Sequence, residues 1–65
     1  MTRSFELLDP VALTTELPKH GLVAGQVGTI VEELETSVFE VEFSDDEGRS
    51  HALVALPADA LIALH

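Results

Sequence analysis

Leu17-Pro18-Lys19-His20-Gly21-Leu22-Val23-Ala24-Gly25-Gln26-Val27-Gly28-Thr29-Ile30-Val31 sets three glycines and a proline against the onset of a β-branched run. The segment reads as a tight loop, Glu16 to Gly25, feeding a bent strand, Gln26 to Leu34. Glycine adopts positive φ freely and admits close backbone approach. Gly21 and Gly25 therefore suit turn positions, while Gly28, inside the strand pattern, suits a bulge or a barrel corner. On that reading Val27, and then Ile30 or Val31, reach the core.

Downstream, Phe39, Val41 and Phe43 alternate with Glu40 and Glu42, the period-two pattern of a sheet with one wet face. Ser44-Asp45-Asp46-Glu47-Gly48 is rich in turn formers and joins this strand to Arg49–Leu56 as a β-hairpin. The returning strand places Ala52, Val54 and Leu56 on one face and His51, Leu53 and Ala55 on the other. Pro57-Ala58-Asp59-Ala60 stops it, with room for one 3₁₀ turn, before a last short strand at 61–64; a helix over 58–64 is the competing assignment, but so short a helix is marginal. Upstream, Val11 to Thr15 has strand composition after Asp9-Pro10, since proline starts a strand or sits on an edge but cannot donate within a central ladder.

About five short strands with closely spaced turns define an all-β chain, and at this size a small SH3-like barrel, in which the last strand pairs back near the first. The expected core is Val11, Leu13, Val27, Phe39, Val41, Phe43, Val54 and Leu56. With 65 residues, one domain spanning residues 1–65 is expected. Without cysteine, neither disulfides nor thiolate zinc ligands reinforce so small a core, which makes self-association the expected supplement.

Twelve acidic residues against three basic ones give a net charge of −9, although 46% of the chain is hydrophobic, which favours folding over disorder. Nucleic acids and anionic membranes both recruit Lys and Arg, so neither is an expected partner. No apolar run approaches the roughly 20 residues that span a bilayer, and Met1-Thr2-Arg3-Ser4 leads into Glu6 rather than a signal-peptide core; the expected location is the cytoplasm.

The residues Leu8-Asp9, Leu13-Thr14, Leu17-Pro18, Gly21-Leu22, Gly25-x-Val27-Gly28-Thr29-Ile30-Val31, Phe39-Glu40-Val41-Glu42-Phe43 and Pro57-x-Asp59 resemble a small bacterial family, the domain of unknown function 4926, over nearly the whole chain. The glycine–valine segment is also similar to the strand entry of KOW-type and other SH3-like barrels, including that of the nitrile hydratase β-subunit. What the resemblance implies is a fold. The family has no established activity and so lends no functional residues. KOW-type barrels bind RNA or ribosomal surfaces through basic residues, whereas Glu32 to Glu47 holds no Lys or Arg.

Charge and exposure mark the candidate sites. Glu33, Glu35, Glu40, Glu42, Asp45 and Asp46 form an expected acidic face for a basic protein partner, with a merely solvated surface as the alternative. Leu7 and Leu53 are the expected self-association contacts, from an apolar arm at Phe5-Leu7-Leu8 and the outer face of the returning strand. Asp45-Asp46-Glu47 is too short a turn to wrap a calcium ion, and His20, His51 and His65 lack metal-ligand spacing. Ser37, Ser44 and Ser50 have no adjacent base. The chain is therefore expected to be a non-enzymatic, self-associating protein-interaction module without catalytic residues, metal or cofactor. The alternative is an accessory or regulatory subunit whose acidic face meets a basic enzyme, toxin or other protein.

Overall fold

The computed structural model describes residues 5–44 and 50–64. Their strands are β1 (Pro10–Leu13), β2 (Val27–Glu35), β3 (Val38–Ser44), β4 (Ser50–Pro57) and β5 (Leu61–Ala63). Two 3₁₀ turns punctuate them, η1 (Pro18–His20) and η2 (Ala58–Ala60). Every ladder is antiparallel and the strand order is β4-β3-β2-β1-β5. The last strand does return to the first, through Val11–Ala63, Ala12–Ile62 and Leu13–Leu61.

The ring expected of a barrel is not closed by a ladder, because β4 and β5 form the two edges of one sheet. η2 bridges the gap instead. It comes directly after β4, accepts the Thr14 N–H and Oγ1–H at the carbonyls of Ala60 and Asp59, and donates the Ala58 N–H to Ser37 O. The three-residue turn thus holds the end of β1 and the β2–β3 turn at one corner. A 3₁₀ turn suits this place, since Pro57 stops the strand and Leu61 restores extended backbone at φ −129°.

β2 bends by insertion. Ile30 pairs with Val41 and Glu32 with Glu40, which leaves Val31 as an extra residue; Glu33 pairs with Phe39 and Glu35 with Val38, which leaves Leu34 as a second. Such bulges add twist and let one strand serve two differently oriented halves of a sheet. Gly28, expected at a bulge or a barrel corner, is no bulge: it is regularly paired on both sides, with Val11 and Phe43. It faces inward and is buried. A Cβ there would lie 2.7 and 2.8 Å from Cδ1 and Cε1 of Phe43 and 2.8 Å from Cγ1 of Val41. Glycine is required for space, not for its backbone freedom.

That register corrects the core. With Gly28 inward, Val27 points out and is 55% exposed, because a one-residue shift moves a strand residue to the other face. Gly28 takes the inward position that Val27 was expected to hold, and of the two further residues expected to reach the core Ile30 is buried while Val31 is exposed. Val54 is half-buried against the core rather than within it. Val11, Leu13, Phe39, Val41, Phe43 and Leu56 are buried as expected. Leu22 and Leu61 join them, as does Phe5, whose ring meets Phe39 edge-to-face at 5.4 Å. The arm therefore divides, with Phe5 in the core and Leu7 and Leu8 exposed.

The loop before β2 has its own structure. Leu17 and Leu22 bridge across η1, and Gly21 caps it at φ 69° with its N–H on Pro18 O. This is how Leu22, in a segment read as loop, reaches the interior. The Leu8 N–H donates to Ile30 O and the Ile30 N–H to Asp9 O, extending the β1–β2 ladder past Pro10. The hairpin turn expected at 44–48 lies largely outside the described residues, but Ser44 and Ser50 pair across its base.

Candidate interaction surface

The register divides the outer face into two halves of different chemistry. On β2, β3 and β4, one row across the sheet runs Glu32, Glu40, Ala55, and the next runs Thr29, Glu42, Leu53. On β2, β1 and β5, the corresponding row runs Val27, Ala12, Ile62. The first half is acidic with exposed apolar residues at its β4 side. The row of the second half carries no charge.

Alternation along β3 causes the first pattern. Phe39, Val41 and Phe43 enter the core, so Glu40 and Glu42 must face out, where each is half-buried by its neighbours. The bulge at Val31 then sets Glu32 directly opposite Glu40. Like charges placed so destabilise a ladder by about 0.2–1 kcal/mol. Of the three basic residues, Lys19 lies on η1, and Arg3 and Arg49 fall outside the described residues.

Glu40, Glu42 and Glu35 share the outer face by register, Glu35 beside Val38 at its end. Glu33 does not: it pairs with Phe39 and so shares the inward-facing side of the sheet, exposed towards the end of β2. Glu32, which was not among the expected residues, takes its place. The cause is the inserted Val31, which shifts the parity of Glu32 and Glu33 until the second insertion, Leu34, restores it at Glu35. Asp45 and Asp46 lie outside the described residues.

Leu53 is 56% exposed and sits beside Glu42 on the outer face of β4. Leu7 is 60% exposed in the turn before β1, where the Glu6 N–H donates to Asp9 Oδ2 at 2.9 Å. Among the described residues no ladder pairing places Leu7 and Leu53 side by side. The row that the structure does make continuous is Val27, Ala12 and Ile62, with Val27 and Ile62 each about half exposed. Sequence reasoning missed it by assigning Val27 to the core. The signal available was Gly28, whose strict close-packing role would have turned Val27 outward.

A shallow open groove beside this row is lined by Val23, Ala24, Gly25, Gln26, Val27 and Ser44. Its lining holds no charged group. Among the described residues no three His, Asp or Glu side chains converge to hold a metal ion. Nor is any helix among them long and apolar enough to cross a membrane.

Fold and surface together define a small all-β domain, a five-stranded antiparallel sheet with its last strand on its first and a divided outer face. The chain belongs to the family described as domain of unknown function (DUF4926), whose model matches residues 7–63. No curated protein and no solved structure matches it.

Proposed function

We propose that the chain is a cytoplasmic, non-catalytic protein-interaction module that self-associates through its uncharged half-face and presents its acidic half to a basic protein partner. The observation that carries this reading is the division of the outer face. Copies with a charge of −9 repel one another wherever acidic surfaces meet. The row Val27, Ala12, Ile62 offers apolar area free of that repulsion. Exposed apolar rows of this kind are typical contact surfaces.

Glu32 opposite Glu40, with Glu42 next on the same face of β3, supports the second part, since like charges set across a ladder cost stability that a solvated surface alone does not require. A basic partner relieves that cost and is steered to the face at low salt. The accessory-subunit reading differs only in what that partner is. The acidic, cysteine-free composition supports the cytoplasmic setting and disfavours nucleic-acid and anionic-membrane partners.

Sedimentation across the micromolar range tests self-association. More than one chain per particle is expected, reduced towards one by Val27→Glu or Ile62→Glu. If instead Leu7→Glu or Leu53→Glu disperses the particles while these two do not, the contact lies on the arm or on β4. A monomer at all concentrations removes the self-association reading. Affinity capture from the native host with mass spectrometry then identifies the partner, whose association rate should fall with ionic strength and with Glu40→Lys plus Glu42→Lys.

A further inference from the structure

We infer that the free edge of β4 receives an extended segment of a basic partner, which joins the sheet as an added strand. The inference rests on the protein-interaction reading above and states where and in what form the partner is held. Three features of β4 point to it.

The first is the edge itself. Among the described residues the strand order leaves β4 and β5 each with one unpaired side, but β5 has three residues and β4 has eight. Folded proteins usually defend long edges with charge, above all with lysine. β4 reads Ser-His-Ala-Leu-Val-Ala-Leu-Pro, without Asp, Glu, Lys or Arg, in a chain that has fifteen such residues elsewhere.

The second is an unfinished core. Val41 and Phe43 on β3 are fully buried, yet their β4 partners on the same face, Val54 and Ala52, are only partly buried. At the opposite edge Leu61 of β5 is fully buried. A further strand beside β4 with apolar residues at alternate positions would cover Val54 and Ala52, as strand addition does in peptide-binding domains.

The third is charge complementarity. Glu40 and Glu42 lie one strand inward, opposite Ala55 and Leu53. An added strand's outward side chains would sit two strand spacings from β3, about 10 Å. Lysine or arginine bridges that gap by laying its aliphatic stem across the small Ala55 side chain. The occupant is thus a segment alternating basic and apolar residues. A second copy of this chain fits worse: pairing β4 with its counterpart would bring two Glu40–Glu42 rows together without a cation between them.

The probe is a blocked nine-residue peptide of alternating arginine and valine, in three forms: unmodified, N-methylated at every arginine, and N-methylated at every valine. Residues of one parity direct their N–H groups to the same side of a strand, so only one methylated form removes the donors that face β4. The unmodified peptide should bind, protect the amides of Ala52–Leu56 from hydrogen exchange, and lose affinity with salt. One methylated form should fail and the other bind. Glu40→Gln with Glu42→Gln should weaken binding roughly tenfold.

Equal, salt-dependent binding of both methylated forms would overturn strand addition while leaving the acidic-face reading intact. Absence of binding at every ionic strength would remove both. Protection confined to β1 and β5, or concentration-dependent protection of β4 with no peptide present, would also overturn the inference, the latter by making a second copy the occupant.

Discussion

Gly28→Ala tests the packing that sets the register of the whole sheet. The new methyl carbon would lie 2.7–2.8 Å from three carbons of Phe43 and Val41, against an ordinary carbon–carbon separation of about 3.5–4.0 Å. Both side chains are fully buried, so neither has open space to move into. Overpacking of this kind costs about 1–3 kcal/mol. Replacing glycine by alanine within a strand returns about 0.5–1 kcal/mol of chain entropy. The net expected loss is centred at about 1 kcal/mol, with about 2.5 kcal/mol as its upper end.

A domain of this size has on the order of a few kcal/mol of net stability, so the loss should lower the urea midpoint visibly. Far-UV circular dichroism is the readout, because the chain has neither Trp nor Tyr. Phe43→Leu should destabilise by itself, yet adding Gly28→Ala to it should cost far less than in the parent, since the shortened side chain vacates the contested volume. The decisive quantity is that coupling. If Gly28→Ala leaves the midpoint unchanged, or if the two changes simply add, the close-packing account of Gly28 is wrong. Gly25→Ala is the control: its site has φ +87° and no atom within 4 Å, so its cost arises from the backbone and Phe43→Leu should not relieve it.

At concentrations too low for self-association, Val27→Lys should change stability by less than about 0.5 kcal/mol, as at other exposed positions. Ile30→Ala should cost about 2–5 kcal/mol; urea titrations giving the reverse order would restore the shifted register. Replacing Glu32 by Lys turns an opposed like-charge pair into an attractive one and should raise the melting temperature at low salt, with the gain shrinking in added salt. A melting temperature equal to the parent's at every salt concentration would mean that Glu32 and Glu40 do not sense each other.

The strand pattern is legible in the sequence because alternation along β3 and the turn residues around it are local signals. Phe39-Glu40-Val41-Glu42-Phe43 fixes its faces unaided, and Pro57 with Asp59 marks the 3₁₀ corner. β2 is harder, since an inward glycine leaves no apolar residue to announce its face, and Val27 beside it looks like core. The inserted Val31 and Leu34 have ordinary strand chemistry, so nothing in the chain marks them as bulges. Strict alternation therefore puts Glu33 on the wrong face and passes over Glu32. Leu22 escapes notice because its burial depends on the Leu17 bridge, a tertiary arrangement within a segment that has loop composition.

The bond from Thr14 Oγ1 to Asp59 O joins residues 45 apart in sequence. Its corner therefore has an effect on the order of assembly. Closing so long a loop costs about 3 kcal/mol more entropy than closing a two-residue turn. The β2–β3–β4 meander, built from near neighbours, has no such barrier and should form first, with β1 and β5 sealing it late. Pulse-labelled hydrogen exchange should then protect the amides of β3 before those of β5. Until that seal forms, Phe43 and Ile30 remain open to water on one side, so the folding chain is most exposed to aggregation just before its ends meet.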